Sequence, residues 1–207
     1  MHVAIPGLVA ALFGDVFYQT ILAAYEGESA KRAALARYMA YSIDEAERTG
    51  RVVLADDPAI GAALWLLPRA PDVEAREHAA KHAFLAELCG PIGYDRYRRI
   101  VGFMHAQAER VIPADGWYLS ILGVDPAVQS RGIGARLLAP TMAEADAAGA
   151  VTWLETFTTR GAQFYERVGF TLVGWYDEPV TGRAYATLCR DQAQEIAFTR
   201  QPGRADV

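Results

Sequence analysis

The chain of 207 residues is long enough to bury a substantial core without disulfide or metal staples. Its 52% hydrophobic and 22% charged residues exclude an intrinsically disordered protein. A formal net charge of −5 argues against a nucleic-acid-binding protein, and no apolar run reaches the roughly 18 to 20 residues of a membrane helix.

Neither the N-terminal segment nor the two cysteines indicates a specific function. The N-terminus lacks a basic start and a clear cleavage site, so a cytoplasmic location is expected. Cys89 and Cys189 lie far apart in sequence, which predicts neither a disulfide framework nor a metal site.

The first half of the chain reads as helices around a pair of strands. Helical patterns cover 8–25, 28–49, 72–89 and 94–111, and strand patterns cover 51–55 and 59–67. Gly50 is a helix stop, and Asp56, Asp57 and Pro58 form a turn sequence between the two strands.

The second half alternates strands and helices. Strands are predicted at 117–124, 150–156, about 170–177 and 183–190, and helices at 131–148 and 161–168. Gly149 ends the longer helix. The whole pattern indicates an α/β fold in one domain, 1–190, followed by a polar tail, 191–207.

The most informative segment is a glycine-rich turn, Gln129 to Ala135, between a strand and a helix. Glycine lets an anion approach the backbone, and the first N–H groups of a helix have no partner, so the turn predicts phosphate binding. A nucleoside triphosphate site would need Lys followed by Ser or Thr after the last glycine, and that is missing. A dinucleotide or S-adenosylmethionine site is disfavoured because Leu137 replaces the third glycine and Pro126 separates the strand from the turn.

Two blocks resemble the GCN5-related N-acetyltransferase (GNAT) family. Gln129-x-x-Gly132-x-Gly134 is similar to that family's Q/R-x-x-G-x-G/A signature. The segment 158–170, with Tyr165 on a short helix before Gly169-Phe170, is similar to its second block. A finer resemblance, to the puromycin N-acetyltransferase-like branch, is carried by 154–156, 117–119 and 50–57.

This resemblance implies a bent and splayed mixed β-sheet flanked by helices, with acetyl-CoA (coenzyme A) as the cofactor. It implies direct transfer of an acetyl group to the primary amine of a small molecule, through a tetrahedral intermediate. The assembly compatible with it is a homodimer, and no nucleic acid, membrane or metal is implied. The same fold could also serve a non-catalytic acyl-CoA sensor. This hypothesis stays open, as does the disfavoured one of a dinucleotide- or S-adenosylmethionine-binding enzyme.

The resemblance also assigns cofactor contacts. A backbone N–H near Leu122 to Val124 would hold the oxyanion. Gly123 would leave room for the pantetheine arm, and Thr158 stands where most of the family has Asn. The full set of expected cofactor-binding residues is Leu122, Gly123, Val124, Gln129, Ser130, Arg131, Gly132, Ile133, Gly134, Ala135, Thr158 and Phe164.

Two side chains are candidates for proton transfer. Tyr165 occupies the family's position for the proton donor to sulfur. The strand 117–124 contains no acid, so Glu155 is the candidate base, and the alternatives are His105 or a water chain. A competing interpretation makes Glu155 a strand-end residue that hydrogen-bonds the backbone. The aromatic residues that could line an acceptor site, or simply pack in the core, are Tyr38, Tyr41, Trp65, Tyr94, Tyr97 and Phe103.

Overall fold

The computed structural model describes residues 2–191. Within this range six strands form one open mixed sheet, in the order β1-β2-β3-β4-β6-β5, and helices cover both of its faces. The strands are β1 (Gly50–Leu54), β2 (Gly61–Leu66), β3 (Trp117–Val124), β4 (Thr152–Thr156), β5 (Thr171–Glu178) and β6 (Arg183–Arg190). The α-helices are α1 (Ile5–Leu12), α2 (Val16–Ile21), α3 (Glu28–Thr49), α4 (Pro71–Ala108), α5 (Ile133–Ala148) and α6 (Thr159–Arg167).

The sheet opens between its two central strands. β3 pairs with β2 along its length, but it pairs with the parallel strand β4 at two positions, Trp117↔Thr152 and Tyr118↔Trp153. Beyond Tyr118 the edge of β3 that faces β4 has no strand partner. Since backbone N–H groups alternate between the two edges of a strand, part of β3 presents unpaired donors to the opening. The predicted splayed sheet is therefore confirmed.

A β-bulge sits at the beginning of this opening. Leu64 of β2 pairs with Ile121 and Trp65 pairs with Leu119, which leaves Ser120 as an extra residue in β3. A bulge reverses the alternation of side chains downstream of it. Leu119 and Leu122, three positions apart, accordingly pack into the same hydrophobic cluster.

The core has two main layers, one on each face of the sheet. The layer under α1 to α4 contains Ile21 and Met39 together with Leu64 of β2. The layer under α5 and α6 contains Leu137 and Ala162. The two helical groups thus lie on opposite faces of the sheet.

Local signals explain where the helices begin and end. Asp15 accepts a hydrogen bond from the Phe17 N–H and caps α2, while Gly149 adopts a left-handed conformation at the end of α5. In α4 the chain changes direction at Gly90, whose φ of 65° is not helical, and Pro91 follows. Among the described residues, no helix combines the length and apolarity that crossing a bilayer requires.

Most predicted elements are confirmed within a few residues, and α3 and β3 have the predicted bounds. The N-terminal helical region, 8–25, differs because Gly14 and Asp15 divide it into α1 and α2. The helices predicted at 72–89 and 94–111 are the two arms of the kinked α4. The predicted tail lies outside the described residues beyond Asp191.

Candidate active site

A cavity of about 1060 Å³ occupies the opening between β3 and β4. Its walls come from α1 to α4 on one side and from α5 and α6 on the other, so it contacts both layers of the core. The predicted residues on its wall are Leu122, Gly123, Val124, Gln129, Ser130, Gly132, Ile133, Gly134, Ala135, Glu155, Thr158, Phe164 and Tyr165. Arg131 is exposed and is not part of the wall.

The glycine-rich turn has the backbone of an anion site. Ser130 (φ 65°) and Gly132 (φ 74°) are both left-handed, and α5 begins at Ile133. The first backbone bond of the helix runs from the Arg136 N–H to the Gly132 carbonyl over 3.1 Å. The N–H groups of Ile133 to Ala135 are therefore not used by the helix and are free to donate to a ligand. Left-handed Ser130 carries strain of about 1 to 2 kcal/mol that glycine would avoid.

Side chains fix this turn to the sheet. The Gln129 amide donates to the Val124 carbonyl over 2.9 Å, which joins the turn to the end of β3. The Asp125 carboxylate accepts from the Ala127 N–H at 2.9 Å. Gln129 lies on the cavity wall as expected, but its amide N–H is used to hold the turn.

Two glycines are needed for packing contacts that the sequence did not reveal. A Cβ at Gly123 would lie 2.7 Å from Leu8 Cδ2, so this glycine lets α1 lie against β3. This packing gives the glycine a structural role, and room for a pantetheine arm beside Gly123, which lies on the cavity wall, stays a prediction. A Cβ at Gly134 would lie 3.0 Å from the Phe164 ring, so that glycine allows α6 to pack beside α5.

Thr158 is the N-cap of α6. Its hydroxyl oxygen accepts from the Gly161 N–H over 3.0 Å, so the capping role uses one lone pair and leaves the O–H proton free to donate. Thr158 thus stands on the cavity wall with a donor available.

Tyr165 follows on the inner face of α6. Its ring makes edge-to-face contacts with Phe164 and Phe170, at centroid distances of 5.1 and 5.9 Å. Burial raises the pKa of the Tyr165 phenol, so the group is a neutral O–H donor at neutral pH.

Glu155 enters the cavity from β4. Its Oε2 accepts from the Tyr118 hydroxyl over 3.3 Å. Its Oε1 is buried and has no hydrogen-bond partner in the described part of the chain. Burial raises the pKa of Glu155 to about 7, although the Tyr118 bond acts in the opposite direction. A carboxyl group with this pKa is suited to accept a proton near neutral pH. The interpretation of Glu155 as a backbone-bonding strand end finds no support in these contacts.

The half of the cavity under α1 to α4 is aromatic. Phe17 and Tyr18 of α2 lie beside Tyr38 of α3 and Tyr97 of α4, and all four rings line the cavity. Asp15 stands at the same wall. α2 was not predicted as a separate helix. The sequence did contain a signal for it, because an acid that follows Gly14 inside an apolar stretch indicates a helix cap and a polar position on the wall.

Other predicted aromatic residues have packing roles. Trp65 is fully buried, Tyr41 stacks on Phe84 at 4.3 Å, and the Tyr94 hydroxyl is 2.7 Å from His82 Nδ1. Phe103 packs edge-to-face against Tyr185. His105 reaches the rim of the cavity but is exposed and lies 3.0 Å from Glu109, which makes it a weaker base candidate than Glu155.

Charge is divided between the two halves. Arg160 and Arg167 of α6 line the half that contains the glycine-rich turn. Asp15 and Glu155 line the aromatic half, where Lys81 is paired with the buried Glu45 over 2.7 Å. The cavity therefore presents cations beside the turn and carboxylates beside the aromatic rings.

An open mixed sheet that splits between parallel strands, with a glycine-rich helix start at the split, defines the fold of the GNAT acetyltransferases, and this chain has that fold. Residues 80–172 match the family model described as an acetyltransferase (GNAT) domain.

Solved structures agree on the fold. One described as histone acetyltransferase HPA2 and related acetyltransferase from Corynebacterium glutamicum has a TM-score of 0.66 at 21% identity, covering 93% of this chain and 91% of its own. An agmatine N-acetyltransferase has a TM-score of 0.60 at 14% identity, covering 89% and 91%. A polyamine N-acetyltransferase from Drosophila melanogaster, which forms N-acetylagmatine, has a TM-score of 0.55 at 14% identity, covering 90% and 94%.

Proposed function

We propose that this protein is an N-acetyltransferase of the GNAT family that transfers an acetyl group from acetyl-CoA to the primary amine of a small molecule. The observation that carries the proposal is the meeting of three groups at one cavity. These are the free N–H groups at the start of α5, the Glu155 carboxyl group and the Tyr165 phenol. Two of the three acetyltransferases compared above are described as acting on small amines, namely polyamines and agmatine, whereas the third is described as a histone acetyltransferase. The acidic, aromatic half of the cavity suits a small amine as acceptor.

The chain's residues fit the cofactor. The N–H groups of Ile133 to Ala135 and the positive end of α5 would bind the pyrophosphate. Arg160 and Arg167 would add positive charge on the same side. The pantetheine arm would lie along the unpaired edge of β3, with the Thr158 hydroxyl near it. Acetyl-CoA would supply an activated thioester carbonyl group.

The unpaired edge of β3 would stabilise negative charge on the carbonyl oxygen. Backbone donors that already point into a protected site are worth about 3 to 4 kcal/mol in acyl transfer. The Ser120 bulge and the short β3–β4 pairing keep these donors free.

Glu155 would act as the base. An alkylammonium group with a pKa near 10 is protonated at neutral pH and is not a nucleophile until it loses a proton. The raised pKa and the unpartnered Oε1 leave the Glu155 carboxylate able to take that proton.

Tyr165 would give a proton to sulfur as the thiol departs. As the amine nitrogen bonded to the carbonyl carbon and the carbon–sulfur bond broke, the Tyr165 hydroxyl would supply the proton that the thiolate needs. The Tyr165 phenolate would then recover a proton from the newly acylated nitrogen. One proton, held by Glu155, returns to solvent, so an ammonium ion and a thioester become an amide, a thiol and a proton.

The finer resemblance to the puromycin N-acetyltransferase-like branch is part of the same proposal. It is supported by Tyr118 and Glu155, which come from two of the segments that carry the resemblance and which bond to one another. The proposal predicts a small-molecule amine as acceptor and not a protein lysine.

The test is release of free thiol from acetyl-CoA across a panel of small amines, with acetyl-CoA binding measured separately by calorimetry. Binding with amine-dependent thiol release is the expected result. Binding without release for any amine would favour a non-catalytic acyl-CoA sensor. Tight binding of NAD or S-adenosylmethionine, with none of acetyl-CoA, would contradict the assignment of the turn.

A further inference from the structure

We propose that the aromatic half of the cavity binds an amine acceptor that carries a second, protonated nitrogen, and that Asp15 is the counter-ion of this second nitrogen. The inference rests on the acetyl transfer proposed above and narrows its acceptor to organic dications. Asp15 becomes a specificity-determining residue with no part in the chemistry.

Asp15 has acceptor capacity that the fold does not use. One carboxylate oxygen accepts from the Phe17 N–H at 2.8 Å to cap α2, while an ionised carboxylate has about four acceptor positions. None of the ion pairs found within residues 2–191 includes Asp15. Burial raises the pKa of Asp15 above its usual value, although the backbone N–H groups of Phe17 and Tyr18 act in the opposite direction. A cation beside Asp15 would therefore relieve the cost of its charge.

The rings around Asp15 suit an organic cation. Tyr18 lies 5.2 Å from Phe17 and 5.1 Å from Tyr38, and Phe17 lies 6.2 Å from Tyr97, between ring centroids. Aromatic faces attract ammonium groups, more strongly when water is excluded, and they also cover a methylene chain. An aromatic wall with one carboxylate therefore recognises a cation that has an apolar stem.

The cationic side chain in this half does not oppose such a ligand. Lys81 Nζ is 2.7 Å from Glu45 Oε2, and their side chains are 16% and 4% exposed, so the two charges cancel inside the wall. Arg160 and Arg167 belong to α6, on the other side of the opening. Asp15 and Glu155 therefore remain as the unmatched acids of the aromatic half.

Asp15 and Glu155 line the same cavity. Tyr118 bonds directly to Glu155. Burial is the main reason that the pKa of Tyr118 is raised, and Glu155 and Tyr18 add to it. Burial also raises the pKa of Tyr18, and there Asp15 adds to it. Tyr18 thus interacts with Asp15, and Tyr118 with Glu155, at the same cavity. A diamine would place one nitrogen at Glu155, where it loses its proton, and keep the other charged at Asp15.

The experiment compares diamines with monoamines of equal chain length. Binding of putrescine and n-butylamine, and of cadaverine and n-pentylamine, is measured by calorimetry in the presence of coenzyme A. The variant is Asp15→Asn, because Asn is an equally good N-cap and retains an oxygen for the Phe17 N–H while losing the charge. The control is Asp57→Asn, since Asp57 also caps a short helix, through the Ala59 N–H at 3.0 Å, but is exposed and outside the cavity.

The parent protein should bind each diamine roughly 10- to 100-fold more tightly than its matched monoamine, as expected for a charge-assisted contact. This ratio should fall to near one in Asp15→Asn and persist in Asp57→Asn. A parent ratio near one, no binding of any of these amines, or a ratio that survives in Asp15→Asn would each overturn the inference.

Thiol release with the same amines separates this inference from the proposed function. Selective diamine binding without thiol release would refute acetyl transfer and leave the cation site standing. Thiol release with equal preference for diamines and monoamines would refute the cation site and leave acetyl transfer standing.

Discussion

The Tyr118 hydroxyl donates to Glu155 Oε2 over 3.3 Å at the point where β3 and β4 separate. Tyr118 is the last β3 residue paired with β4, and Glu155 lies two residues beyond its partner Trp153. The bond therefore crosses the beginning of the opening. It ties the predicted base to the strand that carries the unpaired donors, so the position and the pKa of Glu155 depend on both strands.

Replacing Glu155 by Gln should change the pH dependence of acetyl transfer. Below a pKa of about 7 the parent carboxyl group is protonated and cannot accept a proton, so parent and variant should be similar there. Their kcat/KM values should diverge to roughly 100-fold by pH 8 and converge again near the pKa of the amine. Parallel pH profiles at all pH values would remove Glu155 from catalysis.

The same substitution should change the pH dependence of stability. A Glu with a usual pKa of 4.5 and a folded-state pKa of about 7 keeps its proton in the native state over a range where the unfolded state has lost it. Stability due to this group is thus greatest below 4.5 and falls as pH rises to 7. The Tm of Glu155→Gln relative to the parent should rise between pH 5 and pH 8. The exposed control Glu166→Gln should show no such trend.

Replacing Tyr118 by Phe should raise the pKa of Glu155 further. The lost hydrogen bond favours the charged carboxylate, so its removal favours the protonated form. The acid limb of the kcat/KM profile should move to higher pH, with activity reduced at pH 7 and largely recovered at pH 9. Tyr25→Phe is a matched control because Tyr25 donates to the Leu88 carbonyl over 2.7 Å, away from the cavity. If the acid limb of the kcat/KM profile stayed at the same pH in Tyr118→Phe, Tyr118 would have no influence on the pKa of Glu155.

Replacing Tyr165 by Phe should lower kcat by roughly ten- to a thousand-fold while acetyl-CoA affinity is retained. The ring contacts with Phe164 and Phe170 survive the change, and only the hydroxyl proton is lost. Pre-steady-state measurement of thiol release, where chemistry limits the rate, is the appropriate assay. An undiminished rate there would reduce Tyr165 to a packing role.

The cofactor turn is best tested by removing one N–H group. Ala135→Pro deletes a donor in the first turn of α5 without breaking a helical bond, and it should weaken coenzyme A binding roughly 10- to 100-fold. Ala135→Ser keeps the N–H and serves as the control. Gly134→Val is less informative, since its side chain would strike Phe164. Equal affinity of the Pro and Ser variants, measured by calorimetry, would place the pyrophosphate elsewhere.

Long periodic elements were predictable from the sequence, and so was the glycine-rich turn at the start of α5. The predicted bounds of α3 and β3 follow from unbroken side-chain periodicity. Gly132 and Gly134 could be assigned to the start of a helix because all the residues of this turn motif are adjacent in sequence.

The aromatic half of the cavity was not predictable in the same way. Asp15, Tyr38 and Tyr97 meet only after three helices pack together. The Ser120 bulge depends on the register with β2 and has no local signal. The packing of Gly123 against α1 could not be predicted because Leu8, its neighbour in space, is distant in sequence.

Part of the aromatic half of the cavity comes from a stretch of the chain that precedes the matched acetyltransferase domain. Residues 80–172, which match the acetyltransferase domain, hold the glycine-rich turn, Glu155 and Tyr165, whereas Asp15, Phe17 and Tyr18 precede them. If the proposed function holds, likeness over 80–172 therefore describes the acyl-donor site more fully than the amine site. Two homologues that are nearly identical there could then acetylate different compounds, so grouping them by substrate also requires comparing the residues that precede position 40.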